Sequence, residues 1–321
     1  MNYLSIFLLN CILLALYYRI AVRYEIIDKP NLRSSHDYIT IRGAGIIFLI
    51  TGLYWSLFNL DEQLYFAIGL FAIGLISFAD DVFNLPSRTR FIVHASAVTL
   101  ALINLDLLSS NILLLTLVMI LYIGWINAFN FMDGINAITA FYSISILLPI
   151  IIALPGDLSV YTTLAIYLSI SVLIFMVLNV RKRAIAFSGD VGAVVLAFTL
   201  AYLVLVLIIN TGRVEIILFG SVYGVDTIFT ILRRLKGGQN IFQAHRMHLY
   251  QILTNEFKWN YLSVSILYSV TQLIISFIVL FSIQKMPNVS MTISFVILSF
   301  LIVFYLFALY LVRPHNFPSE A

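Results

Sequence analysis

The sequence predicts an all-α, polytopic membrane protein, and three observations carry that prediction. Of 321 residues, 62% are hydrophobic and only 10% charged, against roughly half and one quarter in soluble domains. Apolar runs long enough to cross a bilayer, roughly 17–25 residues each, follow one another almost end to end. Lys and Arg collect in alternate connections, as the positive-inside rule demands of a membrane chain. No separate soluble region stands out, so residues 1–321 are expected to form a single integral membrane domain.

About eleven spans (ten or eleven) are predicted, near 3–22, 43–60, 62–79, 91–108, 111–130, 138–155, 159–179, 192–210, 214–232, 261–283 and 290–312. The first has no positive segment before it and no small-residue cleavage site, and Arg19 and Arg23 follow it, so it reads as a span and not a signal peptide. With the N-terminus outside, one set of connections holds sixteen Lys and Arg while the other holds only Arg213 and Lys285. The rich set is then cytoplasmic, and so is the C-terminus. A formal charge of +3 is too small to suggest nucleic acid. The lone Cys11 supports neither a disulfide framework nor a thiolate metal site.

The outer connections are very short, whereas the inner ones at 23–42, 80–90, 180–191 and 233–260 are longer and polar. Any chemistry is therefore expected on the cytoplasmic face, where loops can present polar groups. Asp61, Glu62, Asp106, Asp157, Glu215 and Glu320 read as solvated loop ends or chain end. Asp80, Asp81, Asp133, Asp190 and Asp226 instead stand at the inner ends of spans or within them. An ionisable group at membrane depth costs at least a few kcal/mol and is usually kept for a function, the plainer alternative being snorkelling or pairing with Arg.

Four clusters result. Asp80 and Asp81 leave an apolar helix just before Leu85-Pro86 and the cations Arg88 and Arg90. Adjacent carboxylates repel, so a cation or cationic ligand is expected near them. Asn127, Asn130, Asp133 and Asn136 recur at a spacing of three. On a helix they would form one polar stripe of oxygens suited to a hard cation or a polar ligand, or a plain polar seam. Gly189-Asp190-Val191-Gly192 precedes a long apolar run and places a carboxylate near a helix N-terminus, where it could hold a metal with its phosphate or serve as an ordinary cap. The last cluster runs from Arg233, Arg234 and Lys236 to His245-Arg246-Met247-His248. Two His three apart would share a helical face, and contact with phosphate fits them better than zinc. The three earlier cations equally suit a positive-inside loop. Asp226, near the small residues of Gly220-Ser221-Val222-Tyr223-Gly224, is read as structural as readily as functional.

These clusters, in this order, resemble the polyprenyl-phosphate N-acetylhexosamine-1-phosphate transferase superfamily. Asp80-Asp81 with Leu85-Pro86 and Arg90 is similar to its DDxxxLP…R segment, Asn127-x-x-Asn130-x-x-Asp133-Gly134 to its NxxNxxDG segment, and Gly189-Asp190-x-Gly192 to its metal-binding GDxG. Asp28-Lys29-Pro30…Arg33…His36 with Arg42-Gly43-Ala44-Gly45 resembles the first inner loop. Asn136 stands where the family usually has Asp, keeping the oxygen without the charge. His245-Arg246-x-His248 resembles the O-antigen and capsule-initiating subgroup more than the phospho-MurNAc-pentapeptide transferases.

The resemblance implies transfer of an N-acetylhexosamine-1-phosphate from a UDP-sugar to undecaprenyl phosphate with release of UMP, at the cytoplasmic face of the inner (plasma) membrane. It implies Mg²⁺, with Mn²⁺ as a substitute, held by Asn130 and Asp190. It gives Asp80, Asp81 and Asp133 catalytic roles, and substrate contacts to Arg33, Arg90, Asn127, Asn136, His245, Arg246 and His248. A homodimer is compatible with it. A secondary transporter would instead place ionisable groups near the midplane, often within internal repeats, and no repeat of the inner-loop motifs is evident. An intramembrane aspartyl protease would need Gly where Phe187 stands.

Overall fold

A computed structural model describes residues 2–29, 38–241, 243 and 245–312. The order is α1 (Tyr3–Arg23), β1 (Ile27–Asp28), β2 (Thr40–Ile41), α2 (Ile46–Leu57), α3 (Leu60–Phe83), α4 (Ser87–Asn104), α5 (Ile112–Met132), α6 (Ile138–Ala153), α7 (Ser159–Asn179), α8 (Gly189–Thr211), α9 (Ser221–Lys236), α10 (Leu249–Gln251), α11 (Tyr261–Lys285) and α12 (Ser290–Leu311). All eleven predicted spans have helical counterparts. Eight stretches among the described residues are long and apolar enough to cross a membrane, which makes this a multi-pass membrane protein.

Several predicted spans depart from a long regular helix for local reasons. Helix α2 has 12 residues and reaches roughly 18 Å, short of the hydrocarbon core. Helix α6 has 16 residues with Pro149 inside. Helix α4 carries Arg88, Arg90 and His94 on its first two turns. The predicted span at 214–232 is a 3₁₀ segment, Val214–Gly220, that passes into α9. Beside the helices, which bear out the all-α expectation, one short strand pair is present: Ile27 faces Ile41 and Asp28 faces Thr40, antiparallel.

Helix α8 is the axis of the bundle. Its sequence is apolar all round, and 83% of its apolar window is buried, against 17% for the peripheral α12. Helix ends follow side-chain chemistry. Asn2, Asn111 and Asn260 accept from the N–H groups of Leu4, Leu113 and Leu262 and so start α1, α5 and α11. Asn84, at φ 51°, ends α3 in the left-handed region, and Pro86 launches α4 directly back.

Irregular backbone at membrane depth must be re-satisfied from within the protein. Gln272 of α11 does this where the 3₁₀ segment meets α9. Its Nε2 donates to Leu218 O at 2.9 Å, and its Oε1 accepts from Val222 N at 3.1 Å and from the Tyr142 hydroxyl at 2.7 Å.

Candidate active site

Asp80 and Asp81 lie on the last turn of α3. Consecutive helical residues point about 100° apart, so the two carboxylates serve different partners. Asp80 Oδ1 accepts from Leu85 N at 2.6 Å, and its Oδ2 receives Arg90 Nη1 at 2.5 Å. The Asn84–Pro86 reversal is what brings Arg90 back to Asp80. The Asp81 side chain is wholly buried and receives Arg42 Nε at 2.7 Å. It also accepts from the amides of Asp190 at 2.8 Å and Val191 at 3.0 Å.

Those amides form the N-terminus of α8, where the sequence leaves open a metal with its phosphate or an ordinary cap. Asp81 takes that place and caps the helix from α3. Gly189, at φ +73°, allows the approach, because a Cβ there would strike Asp81 Oδ2. Asp190 itself projects outward, its side chain 20% exposed, and is reached by Arg42 Nη2 at 3.2 Å and Arg90 Nη1 at 3.4 Å.

Arg42 follows β2, which the sequence did not reveal. Its backbone is held by Arg42 N donating to Ile26 O at 3.1 Å and by the Tyr17 hydroxyl donating to Arg42 O at 2.6 Å. The next residues dock on the GDxG segment: Ala44 N donates to Phe187 O at 3.0 Å and Gly45 N to Ser188 O at 2.9 Å. Gly45 and Gly192 face each other with backbone nearly in contact, so neither position has room for a Cβ. Burial opposes the Arg42 charge, yet Asp81, then Asp190 and Asp28, more than offset it and raise its pKa above the ordinary guanidinium value. Three carboxylates and two guanidinium groups leave this cluster one formal negative charge.

The polar stripe at 127–136 is not one helical face. Helix α5 ends at Met132, and Asp133 is its cap, at φ −82° and ψ 51°. Asn127 Nδ2 turns back to Ile123 O at 2.8 Å within its own helix. Asn130 lies on the last turn of α5, and its side chain makes no hydrogen bond among the described residues. Asp133 Oδ2 accepts from the Ser188 hydroxyl, which ties this loop to the start of α8. Burial pushes the Asp133 carboxyl above its ordinary range, while the hydroxyls of Ser188 and Thr139 and the charge of Arg42 pull it back. Asn136 points elsewhere, donating to Arg181 O at 3.0 Å and to the Tyr38 hydroxyl at 3.2 Å.

The 233–260 connection is folded by its own cations. Arg234 is 3% exposed and donates to the carbonyls of Asn240, Ile241 and Gln243, while Arg233 donates to Met247 O. They shape the loop as much as they charge it. His245 and His248 do not share a helix, since α10 starts only at Leu249. Their rings are nonetheless 4.9 Å apart, beside Phe131 at the end of α5. Burial, with the charges of His248, Arg234 and Arg233, lowers the His245 pKa to about 4. Tyr250 links this loop to the Asp133 loop, donating to Phe131 O at 2.9 Å and packing on Gly134. Arg33 lies outside the described residues.

The structure thus brings Asp80, Asp81, Asp190 and Arg90 into one cluster, with Asp133 joined through Ser188. Sequence reasoning omitted Arg42 and Ser188 from the site, although both flank Gly-containing segments that it singled out. In kind the donors, carboxylate and amide oxygens, fit a hard divalent cation. Among the described residues no group of three or more His, Cys, Asp or Glu converges as a metal cage. Arg42 and Arg90 are interposed between the carboxylates instead.

An acid-and-arginine cluster where several helices of a multi-pass bundle end defines a membrane-embedded protein with a polar site on one face. Comparison with known proteins makes this specific. The family model described as glycosyl transferase family 4 matches residues 63–208. Undecaprenyl-phosphate alpha-N-acetylglucosaminyl 1-phosphate transferase of Salmonella typhi is 26% identical over 78% of this chain and 75% of its own length. A probable undecaprenyl-phosphate N-acetylglucosaminyl 1-phosphate transferase of Bacillus subtilis is 25% identical over 89% of this chain and 84% of its own. The Yersinia pestis enzyme named like that of Salmonella typhi is 24% identical over 77% and 74%. Together the matches support the polyprenyl-phosphate sugar-1-phosphate transferase family for this chain.

Proposed function

We propose that the protein transfers an N-acetylhexosamine-1-phosphate from a UDP-sugar to undecaprenyl phosphate at the cytoplasmic face of the membrane, as the first membrane step of a cell-surface glycan. One oxygen of the lipid phosphate forms a bond to the sugar-bearing phosphorus. The bond from that phosphorus to the bridging oxygen breaks, and UMP leaves with the electron pair. The observation that carries the reading is the meeting of Asp80, Asp81 and Asp190 with Arg42 and Arg90 at one end of the bundle.

The acceptor needs little activation, because a phosphate monoester with a second pKa of about 6 is largely dianionic near pH 7. The difficulty is to bring two anions together. Arg42 and Arg90 are anchored by Asp81 and Asp80, which aim their remaining N–H groups at the Asp190 side of the cluster. Asp190 and Asn130 are the side chains that would hold Mg²⁺, which when bound would neutralise and align phosphate oxygens. Asp133, held by Ser188, borders the donor side, and His245, Arg246 and His248 supply contacts to phosphate or sugar. The lipid would enter laterally between helices. The family match and the relatives do not favour a transporter or a phospho-MurNAc-pentapeptide transferase.

The test is UMP release by the purified protein in detergent with undecaprenyl phosphate and a panel of UDP-N-acetylhexosamines, with and without Mg²⁺. The reading expects UMP with at least one donor, dependent on both the lipid and the metal. No UMP from any donor overturns it, and turnover that survives EDTA overturns the metal assignment.

A further inference from the structure

Asp226 is not used by the reaction described above, yet it is the most heavily coordinated carboxylate among the described residues. It is 0% exposed, on α9. Its Oδ2 accepts from the Tyr268 hydroxyl at 2.7 Å. Its Oδ1 is approached by Leu249 N at 3.1 Å, the Tyr305 hydroxyl at 3.1 Å, the Thr230 hydroxyl at 3.2 Å and His248 Nδ1 at 3.2 Å. We infer that Asp226 is the positioning residue for His248, holding Nδ1–H and balancing the imidazolium, so that Nε2–H donates to a phosphate oxygen of the donor substrate. This rests on the transferase reading.

An ionised carboxylate only accepts hydrogen bonds, so a ring nitrogen bonded to it carries the proton. Asp226 therefore decides the tautomer of His248. The backbone decides the ring's place: His248 stands at the N-cap position of α10, its N–H donates to Gln251 Oε1 at 3.3 Å, and Leu249 N is held by the same Asp226. The opposite ring nitrogen, Nε2, is buried without a hydrogen-bond partner in a residue only 2% exposed. A buried polar atom left unpaired costs about 1–3 kcal/mol, so a partner for Nε2 from outside the chain would be stabilising.

The surroundings point to the same use. The His248 ring lies 6.2 Å from Phe131 and 5.9 Å from Tyr250, both contacts of the Asp133 loop. Tyr250 is within electrostatic reach of Asp226 on one side and Asp133 on the other. An arriving phosphate can be met by Nε2–H of the imidazolium, whose positive charge Asp226 balances where little water is present. A carboxylate serving only to tie α9 to Tyr268 of α11 and Tyr305 of α12 would not need to fix a histidine tautomer.

The test compares His248→Gln, Asp226→Asn and the double variant, in detergent. The amide introduced by Asp226→Asn keeps an oxygen for Tyr268 or Leu249 but no longer fixes Nδ1–H. Each single substitution is expected to lower kcat/KM for the UDP-sugar by about 10- to 100-fold, as loss of a partner that orients a histidine commonly does. The KM for undecaprenyl phosphate should not change, and the double variant should be no worse than the worse single. Multiplicative losses with a fall in Tm would make Asp226 merely structural and overturn the proposal. A second measurement is independent of turnover. In ¹⁵N-histidine spectra, the His248 resonance (the one missing in His248→Gln) should show protonated Nδ1 and bare Nε2, and Nε2 should gain a proton on adding UDP. The reverse tautomer in the unaltered protein overturns the proposal even if UMP is released. If no UDP-sugar yields UMP, the transferase reading fails while the tautomer still decides the role of Asp226.

Discussion

Asp81 shows how one buried carboxylate can serve structure and site together. It neutralises Arg42 and caps α8, so its removal strands a guanidinium and two helix-end amides. Breaking a buried pair from one side costs about 3–5 kcal/mol, and Asp81→Ala should show a large drop in Tm along with lost turnover. Asp190 is more exposed and its two contacts are longer. Asp190→Ala is therefore expected to abolish UMP release with Tm little changed, and near-normal activity would remove Asp190 from the metal assignment. His245 carries a pH signature. Its pKa is about 4 in the folded protein, against roughly 6.5 when unfolded. On acidification the unfolded chain takes up this proton first, so the contribution is present above about pH 6.5 and is lost as pH falls from there towards about 4. Melting curves in detergent should show that loss, and His245→Gln should flatten it.

At the level of elements, the critical contact is between the turn entering α2 and the first turn of α8. Its closeness depends on Gly45 and Gly192 facing each other. A methyl group at position 45 must part the two backbones, and overpacking of this kind costs about 1–3 kcal/mol. Gly45→Ala is predicted to lower Tm and also UMP release, because Arg42 sits three residues before the contact. The α9 junction tests a different rule. Gln272→Leu would leave Leu218 O and Val222 N without their side-chain partner, so a loss of about 1–3 kcal/mol per unpaired group is expected. Unchanged stability would show that the 3₁₀ segment satisfies itself. The apolar runs make the helices legible, but not their ends. A spacing of three that continues to 136 would make one stripe only on an unbroken helix, and the chain turns after Met132, just before Gly134. Likewise the three-residue spacing of His245 and His248 suggests a helix, whereas the rings meet through a loop clasped by Arg234.

For the molecule as a whole, the clustering of polar function at one end of the bundle goes with the asymmetry of its cations. Sixteen Lys and Arg against two predict that this end is cytoplasmic. In a Cys11→Ser background, cysteine placed at Lys258 should react with an impermeant maleimide only in inside-out vesicles. Cysteine at Glu62 should react only in right-side-out ones. The opposite pattern would invert the protein and the proposed reaction with it.

Residue order alone places the chain in a membrane, locates most of its helices and marks the acidic residues that stand at their polar ends. Composition and hydrophobic run length decide those matters locally, since each span must satisfy the bilayer on its own account. That Arg42 bridges Asp81 and Asp190, that Asp81 caps α8, and that Asp226 meets His248 follows from the packing of the folded chain. These pairs join residues 22 to 148 positions apart. No periodicity spans such distances, because they are closed by helix packing and by backbone approach at glycine rather than by the chain's local geometry.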